Sequence, residues 1–421
     1  MAALLDCLLR VVVSDSASTP VSAAATAMTP TERRASASLA SIFALRMLGL
    51  FLVLPVFALE ARKYPGGEDP ALLGLAMGIY GLTQGLLQLP FGMASDRFGR
   101  KRVIVLGLLI FAAGSFWAAA AQDLHGLLIG RSLQGAGAVS AAVTALLADL
   151  TRDEVRTKAM ALVGASIGLM FAVSLVLAPV LAAAVGLAGL FSITGALALL
   201  GVAVVVWGAP AAPAMQAEAR RGRLTDVLRH AGLMRMNLGV FVLHAVQLAM
   251  WVAVPTLLVQ AGLPKDQHWH VYLPAVLGSF VLMGGMFALE RRGHLKKVFL
   301  AAILLIALVQ LGLLVVSLGQ PGLGTMAGLM FLFFCGFNVL EATQPSLVSR
   351  LAPMSVRGTA MGVYNTLQSL GFFAGGWIGG VLVKSWGSQM LFLCCAVAML
   401  LWWLVALPMQ APSRHGAAKT A

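Results

Sequence analysis

The feature that most constrains this chain is repetition: apolar stretches of about 20 residues recur along almost its whole length, each long enough to cross a bilayer core of about 30 Å. They lie near 37–59, 71–94, 103–121, 126–148, 159–183, 187–208, 236–260, 271–289, 296–318, 322–347, 358–383 and 388–407. Lipid offers no hydrogen bonds to an open strand or an irregular loop, so such spans must be helical. The expected fold is an all-α membrane protein with twelve transmembrane helices. Charged residues make up only 11% of the chain, against about 25% in soluble domains. Its 45 glycines fit this setting, because small residues let membrane helices approach closely.

A net charge of +13 could point to nucleic acid, but the placement of the basic residues argues against it. With a cytosolic N-terminus and alternating sides, most of the 29 Lys and Arg fall in cytosolic loops and tails, including Arg97, Arg100, Lys101, Arg102, Arg220, Arg221 and Arg223. The opposite side holds Arg62, Lys63, Lys265 and Lys384, while Arg46 and Arg131 lie inside spans. Cytosolic loops concentrate Lys and Arg, so the charge is an orientation signal that places both termini in the cytosol. No nucleic-acid partner is expected.

The four cysteines, Cys7, Cys335, Cys394 and Cys395, show no metal-ligand spacing, and adjacent Cys394 and Cys395 on one helix are badly placed to bridge. They read as small buried hydrophobes. Residues 1–35 are rich in Ser, Ala and Thr without helical periodicity and read as a disordered tail. The short apolar run at residues 4–13 does not span and is not read as a signal peptide. Met28 is a plausible alternative start.

The longest polar interruption, 209–235, follows the sixth span and divides the chain into halves at 36–208 and 236–407, with a short cytosolic tail at 408–421. The halves echo each other. VRTKAMAL (Val155–Leu162) follows the fourth span and VRGTAMGV (Val356–Val363) the tenth; DRFGRKR (Asp96–Arg102) follows the second and ERRGHLKK (Glu290–Lys297) the eighth. Parallel repeats of two six-helix halves are a recurring transporter plan.

Between spans two and three the chain reads GMASDRFGRKR, Gly92 to Arg102. Gly92 permits close helix packing, Gly99 can take the positive φ of a tight turn, and Asp96 can accept hydrogen bonds from a helix N-terminus. The segment resembles the major facilitator signature G-x-x-x-D-R-x-G-R-[KR]-[KR] at Gly92, Asp96, Arg97, Gly99, Arg100, Lys101 and Arg102. That resemblance implies a cytosolic latch between the halves, closing on the start of span eleven at Gly358 and Thr359. RSLQGAGA, Arg131 to Ala138, resembles the R-x-x-x-G-x-G-x-A motif of proton-coupled members, which assigns Arg131 to proton coupling; snorkelling to the interface is the other reading. Span five departs from the antiporter motif: Ala178-Pro179 stands where Gly-Pro is usual, and Leu181 and Ala182 replace Gly-Gly.

ALRMLGLFLVLPVF (Ala44–Phe57), DLTRDEVRTKAM (Asp149–Met160), GVFVLHAV (Gly239–Val246) and GFNVLEATQPSLVSRLAP (Gly336–Pro353) extend the resemblance over most of the membrane region, to the drug:proton antiporter group. One member of that group carries a small soluble C-terminal domain, which is expected to be missing here. The resemblance implies a bacterial inner-membrane location.

Polar residues at membrane depth complete the candidate site. Glu341, in span ten with Asn338 one turn earlier, is the carboxylate placed well inside an apolar segment, and intramembrane acids are functional candidates by default. It reads either as a proton carrier or as a structural partner for a cation such as Arg350. Arg46 lies about 13 Å into span one, an anion-binding group or an ion-pair partner. His244 can titrate near neutral pH, although a lone helical His is more often structural. Tyr80, Gln84 and Gln88 share one face of span two, and Asn365 and Gln368 one face of span eleven; both faces read as lining a central cavity, with polar helix-to-helix contacts as the other reading.

The expected function is secondary transport: export of a small amphipathic or drug-like compound in exchange for protons, with proton-coupled uptake by the same fold as the alternative. No metal cluster, nucleophile elbow, paired carboxylates or nucleotide loop G-x-x-x-x-G-K-[ST] appears in the sequence, so neither an enzyme nor an ATP-driven pump is expected. No cofactor is implied. Partners are a small-molecule substrate, protons and the bilayer, and the chain is expected to be a monomer.

Overall fold

Helices begin where a side chain can take over an unpaired backbone N–H, and this rule sets the first boundary. Thr29 and Glu32 form a reciprocal capping box with Pro30 as the first helical residue. The computed structural model describes residues 27–210, 224–289, 293–320, 322–353 and 356–409. The start of the leading tail, Cys7, the basic residues Arg220, Arg221 and Arg223, and the closing tail from 410 lie outside them.

The described residues form helices and no strand. In chain order they are α1 (Pro30–Glu60), α2 (Pro70–Phe98), α3 (Arg100–Ala120), α4 (Leu124–Ala136), α5 (Ser140–Asp149), α6 (Asp153–Ala203), α7 (Leu224–Arg229), α8 (Ala231–Gln260), α9 (Trp269–Leu289), α10 (Leu295–Ser317), α11 (Leu323–Leu351) and α12 (Arg357–Ala406). Eight of them are long and apolar enough to cross a membrane. Two of the eight hold two crossings each: α6 turns at Gly186, φ 65°, and α12 at Gly387, φ 79°. Each turn needs the left-handed backbone region that glycine enters without steric cost. Adding α4 with α5 as the fourth span and α9 as the eighth, the architecture matches the twelve-span expectation.

Two boundaries need correction. Residues 30–35, expected in the tail, belong to α1, because the Thr29-Pro30-Thr31-Glu32 cap starts the helix there. The expected linker 209–235 contains α7, and α8 already begins at Ala231, where His230 Nδ1 accepts the Leu233 N–H.

The two halves meet chiefly where α2 packs on α12. The approach is backbone on backbone. A Cβ at Gly74 would lie 2.1 Å from Gly376 O, and one at Gly81 would lie 2.3 Å from Ser369 O. Toward the other end of the same seam the packing loosens: a Cβ at Gly362 would meet only Leu89, at 3.7 Å, and one at Gly358 nothing within 4 Å. The bundle therefore has a basic end, carrying Asp96–Arg102, where the halves are loosely joined, and an opposite end where they are clamped.

Candidate functional site

Span four is interrupted at its centre, and the interruption builds half of the site. After Ala136 the chain leaves the helix at Gly137 and resumes at Ser140. The glycines of RSLQGAGA permit this: a Cβ on Gly135 would lie 2.0 Å from Thr83 Oγ1, and one on Gly137 would lie 2.4 Å from Gly107 O. The break brings Ser140 to Arg46. The Arg46 guanidinium, 1% exposed, donates to Ser140 Oγ (2.9 Å), Tyr80 OH (2.7 Å) and Gln84 Oε1 (3.2 Å). Gln84 in turn donates to Ser369 Oγ of α12 at 3.2 Å, tying the first half to the second.

Arg131 does not snorkel. It is buried, donates to Gln134 Oε1 (3.0 Å) and Met77 O (3.2 Å), and sits over the Tyr80 ring at 5.1 Å. Gln134 donates onward to Ser115 Oγ at 2.8 Å. Tyr80 thus touches both buried cations. Gln88, one turn farther along α2, is buried with its Oε1 unpartnered and does not join the group.

In the second half, His244, Glu341 and Gln368 come together from α8, α11 and α12. His244 Nε2 lies 3.2 Å from Glu341 Oε2 and 2.8 Å from Gln368 Nε2, and Gln368 Nε2 donates to Glu341 Oε1 at 3.3 Å. His244 Nδ1 faces Val240 O at 2.8 Å. Glu341 is 38% exposed by side chain while His244 is buried, so the carboxylate is the more accessible member of the pair. His244, read from sequence as a lone residue, is therefore the partner of Glu341. Asn338 turns away and donates to Ser279 Oγ of α9 at 2.7 Å. Asn365 is half-buried beside Gln368, its carbonyl accepting the Ser369 hydroxyl.

At the basic end Gly99 has φ 96° and turns the chain from α2 into α3. Arg100 pairs with Asp96, donates to Asp149 Oδ2 at 2.9 Å and also reaches Ser95 Oγ at 2.8 Å. Lys101 donates to Ala209 O at 2.6 Å. Arg97 lies over the Phe98 ring at 5.4 Å.

Sequence reasoning missed the clamp at the opposite end. Glu60, 2% exposed, is held by Lys63 from its own half and by Lys265 from the other, both at 2.5 Å. Asp69, the N-cap of α2, pairs with Lys384 of α12 at 2.6 Å. The signal was present: Lys63, Lys265 and Lys384 are among the few cations on that side, and two acids lie between them.

The Lys384 ammonium holds the Asp69 carboxyl below the usual carboxylate range, against a smaller opposing effect of burial. A depressed value means that the bridge is fully present above the ordinary Asp range near about 4 and is lost only as pH falls below it. Exposed pairs contribute about 0.2–1 kcal/mol, so the effect is modest. Asp69→Asn should raise labelling of a cysteine placed at Ala71 a few-fold at neutral pH, read with an impermeant thiol reagent against a background without the native cysteines.

Comparison with known proteins places this arrangement. The model for the Major Facilitator Superfamily matches residues 39–376. The chain is 41% identical over 390 residues to the inner membrane transport protein YajR of Escherichia coli K12, covering 91% of this chain and 85% of that protein. It is 28% identical over 360 residues to multidrug resistance protein MdtH of Yersinia enterocolitica, covering 79% of this chain and 83% of the relative. Among solved structures, an auto-inhibited POT family peptide transporter superposes with a TM-score of 0.73 at 14% identity, covering 91% of this chain and 99% of that one. The chain belongs to the Major Facilitator Superfamily and is a multi-pass membrane transporter, not an enzyme.

Proposed function

We propose that this transporter exports a small amphipathic compound in exchange for protons across a bacterial inner membrane, with its basic end in the cytosol. The contact of His244 Nε2 with Glu341 Oε2 at 3.2 Å carries the proposal. Val240 O can only accept, so the hydrogen on His244 Nδ1 is committed to it. The exchangeable site is then Nε2. With Nδ1 so committed, Nε2 of the neutral imidazole accepts from Gln368 Nε2 at 2.8 Å, and in this reading a proton exchanged with Glu341 Oε2 at 3.2 Å displaces that contact. Glu341 is the more accessible member, so in this reading the proton enters and leaves through it while His244 and Gln368 fix its orientation. Arg131, buried without a carboxylate partner among the described residues, keeps the opposite wall positive and disfavours a second proton there.

Export, rather than uptake, is supported by the similarity to a protein named for multidrug resistance, and the inner membrane by the similarity to an inner membrane transport protein. In this reading the Asp96–Arg100 loop latches the basic end when the opposite end opens. Asp96→Asn should largely abolish transport while membrane insertion, measured by fractionation, stays normal; full transport by a well-expressed variant would remove the latch role. The direction is tested in everted vesicles with an imposed pH gradient, using a compound identified by altered tolerance of a deletion strain. Accumulation inside everted vesicles acidified within supports export, and efflux under the same gradient contradicts it.

A further inference from the structure

Arg46 poses a physical problem that its neighbours do not solve. Its guanidinium is 1% exposed in the middle of a membrane span, yet its partners are a serine hydroxyl, a phenol, a neutral amide and the face of the Phe111 ring at 5.6 Å, none of them an anion. Three of its five N–H groups are used, and Nε has no partner. Arg131, also buried, is likewise held by an amide and a backbone carbonyl, with its own Nε unpartnered. Both cations contact Tyr80, one at the hydroxyl and one over the ring. Among the described residues neither has a carboxylate partner; the acids that do pair with cations are at the two ends of the bundle or, in the case of Glu341, beside His244.

Burying an uncompensated charge is costly, and neutral hydrogen bonds recover less of that cost than charge-assisted ones. Two like charges sharing one phenol make each other's burial less favourable. The missing component is an anion. Its approach is open on one side, because Ser140 and Gln84, which hold the guanidinium, are themselves only half-buried. The unused Nε–H and one Nη1–H lie on different edges of the guanidinium, because Tyr80 and Gln84 take both Nη2 hydrogens, so a planar or tetrahedral oxyanion is gripped at two points once Gln84 moves aside.

We propose that Arg46, with Tyr80, Gln84 and Ser140, is the recognition site for the anionic group of the substrate, a carboxylate or sulfonate on an apolar body. Phe51, Phe171, Phe334, Phe333 and Phe337 form a row of ring contacts, centroids 5.1 to 6.0 Å apart, leading from α1 across the two halves to His244; all but Phe51 are buried, and in this proposal the apolar body packs at the Phe51 end. The anion would also couple the halves, since Gln84 bonds Ser369 of α12, and rearrangement of Gln84 on binding loosens that tie. This site deepens the transport reading, on which it rests, by naming the charge of what is carried.

The test is equilibrium binding to the purified full-length chain in lipid nanodiscs at fixed pH, using four probes that differ only in their polar group: 1-naphthoate, 1-naphthalenesulfonate, 1-naphthylmethylamine and 1-naphthalenemethanol. Thermal unfolding and quenching of tryptophan fluorescence are the readouts. The two anions should bind saturably and raise the unfolding temperature, with the amine and the alcohol at least tenfold weaker. Arg46→Gln should weaken the anions tenfold or more, while Arg46→Lys, which keeps the charge but loses the fork, should recover part of that loss. If Arg46→Gln does not fold, Ser140→Ala and Gln84→Ala, which leave Arg46 in place, should each shift anion binding several-fold. Binding that ignores the probe's charge, binding unaffected by these substitutions, or no binding by either anion overturns the proposal. So does an Arg46-dependent stabilisation reproduced in full by chloride against gluconate, which would make this an inorganic anion site. None of these readouts uses a proton gradient, so the site would survive a finding that transport is not proton-coupled, and its failure would leave the Glu341 reading intact.

Discussion

Glu341→Gln should abolish gradient-driven accumulation and leave any residual downhill flux insensitive to pH. Glutamine keeps the shape and the contact with Gln368 but carries no exchangeable proton. The pair with His244 Nε2 then becomes a fixed amide hydrogen bond. Accumulation in vesicles should fall by at least tenfold, and the rate of downhill flux between pH 6 and 8 should become flat. His244→Gln separates proton carriage from proton placement: with Glu341 intact, the pH profile should shift along the axis rather than vanish. An unchanged profile in Glu341→Gln would make that carboxylate structural.

The second large effect is expected at the clamped seam. Gly74→Ala adds a Cβ that would sit 2.1 Å from Gly376 O and 2.8 Å from Gly380 Cα, all of it backbone that cannot rotate away. Overpacking of this kind costs about 1–3 kcal/mol where the surroundings give way, and here giving way means separating α2 from α12. The substitution should leave insertion and most helix content intact but prevent the opposite end from closing. Transport should fall to near background, and a cysteine placed at Ala71 should become fully reactive to impermeant thiol reagents at neutral pH. Gly362→Ala is the matched control on the same seam, where the nearest atom stands at 3.7 Å; it should be close to neutral. Comparing the clamps decides which of them matters. The exposed Asp69–Lys384 bridge contributes less than about 1 kcal/mol, so the α2–α12 backbone packing outweighs it, while buried Glu60 with Lys265 is a separate tie between the halves.

The membrane fold could be read from one repeating pattern because lipid leaves only helices and closed barrels, and an unbroken apolar run of about 20 residues fits the helix. The turns inside α6 and α12 were legible only as gaps between apolar runs, since nothing in a single glycine announces a left-handed turn. The start of α1 was readable and was missed: Thr29-Pro30-Thr31-Glu32 is a capping box with proline at its first turn, but the serines and alanines around it masked the signal. At the site, depth within a span singled out Arg46, Arg131 and Glu341, because charge at that depth is conspicuous. Their partners were not legible. Ser140 and Ser369 are ordinary small residues until the break in span four and the α2–α12 seam bring them to Arg46 and Gln84. His244 looked solitary because its partners lie on two other helices, far away in sequence.

The turns at Gly186 and Gly387 carry a consequence for how the bundle can deform. Each joins two long helices with one non-helical residue and no intervening loop, so a tilt of one arm is passed to the other with almost no slack. Spans five and six, and eleven and twelve, then behave as two stiff forks. Compliance at that end is left to the connecting segments, of which 61–69 and 261–268 contain short 3-10 helices and turns. An epitope tag spliced into either of those segments has chain to absorb it. The same tag at Gly186 or Gly387 would uncouple a fork and jam the motion as surely as a change in the site itself.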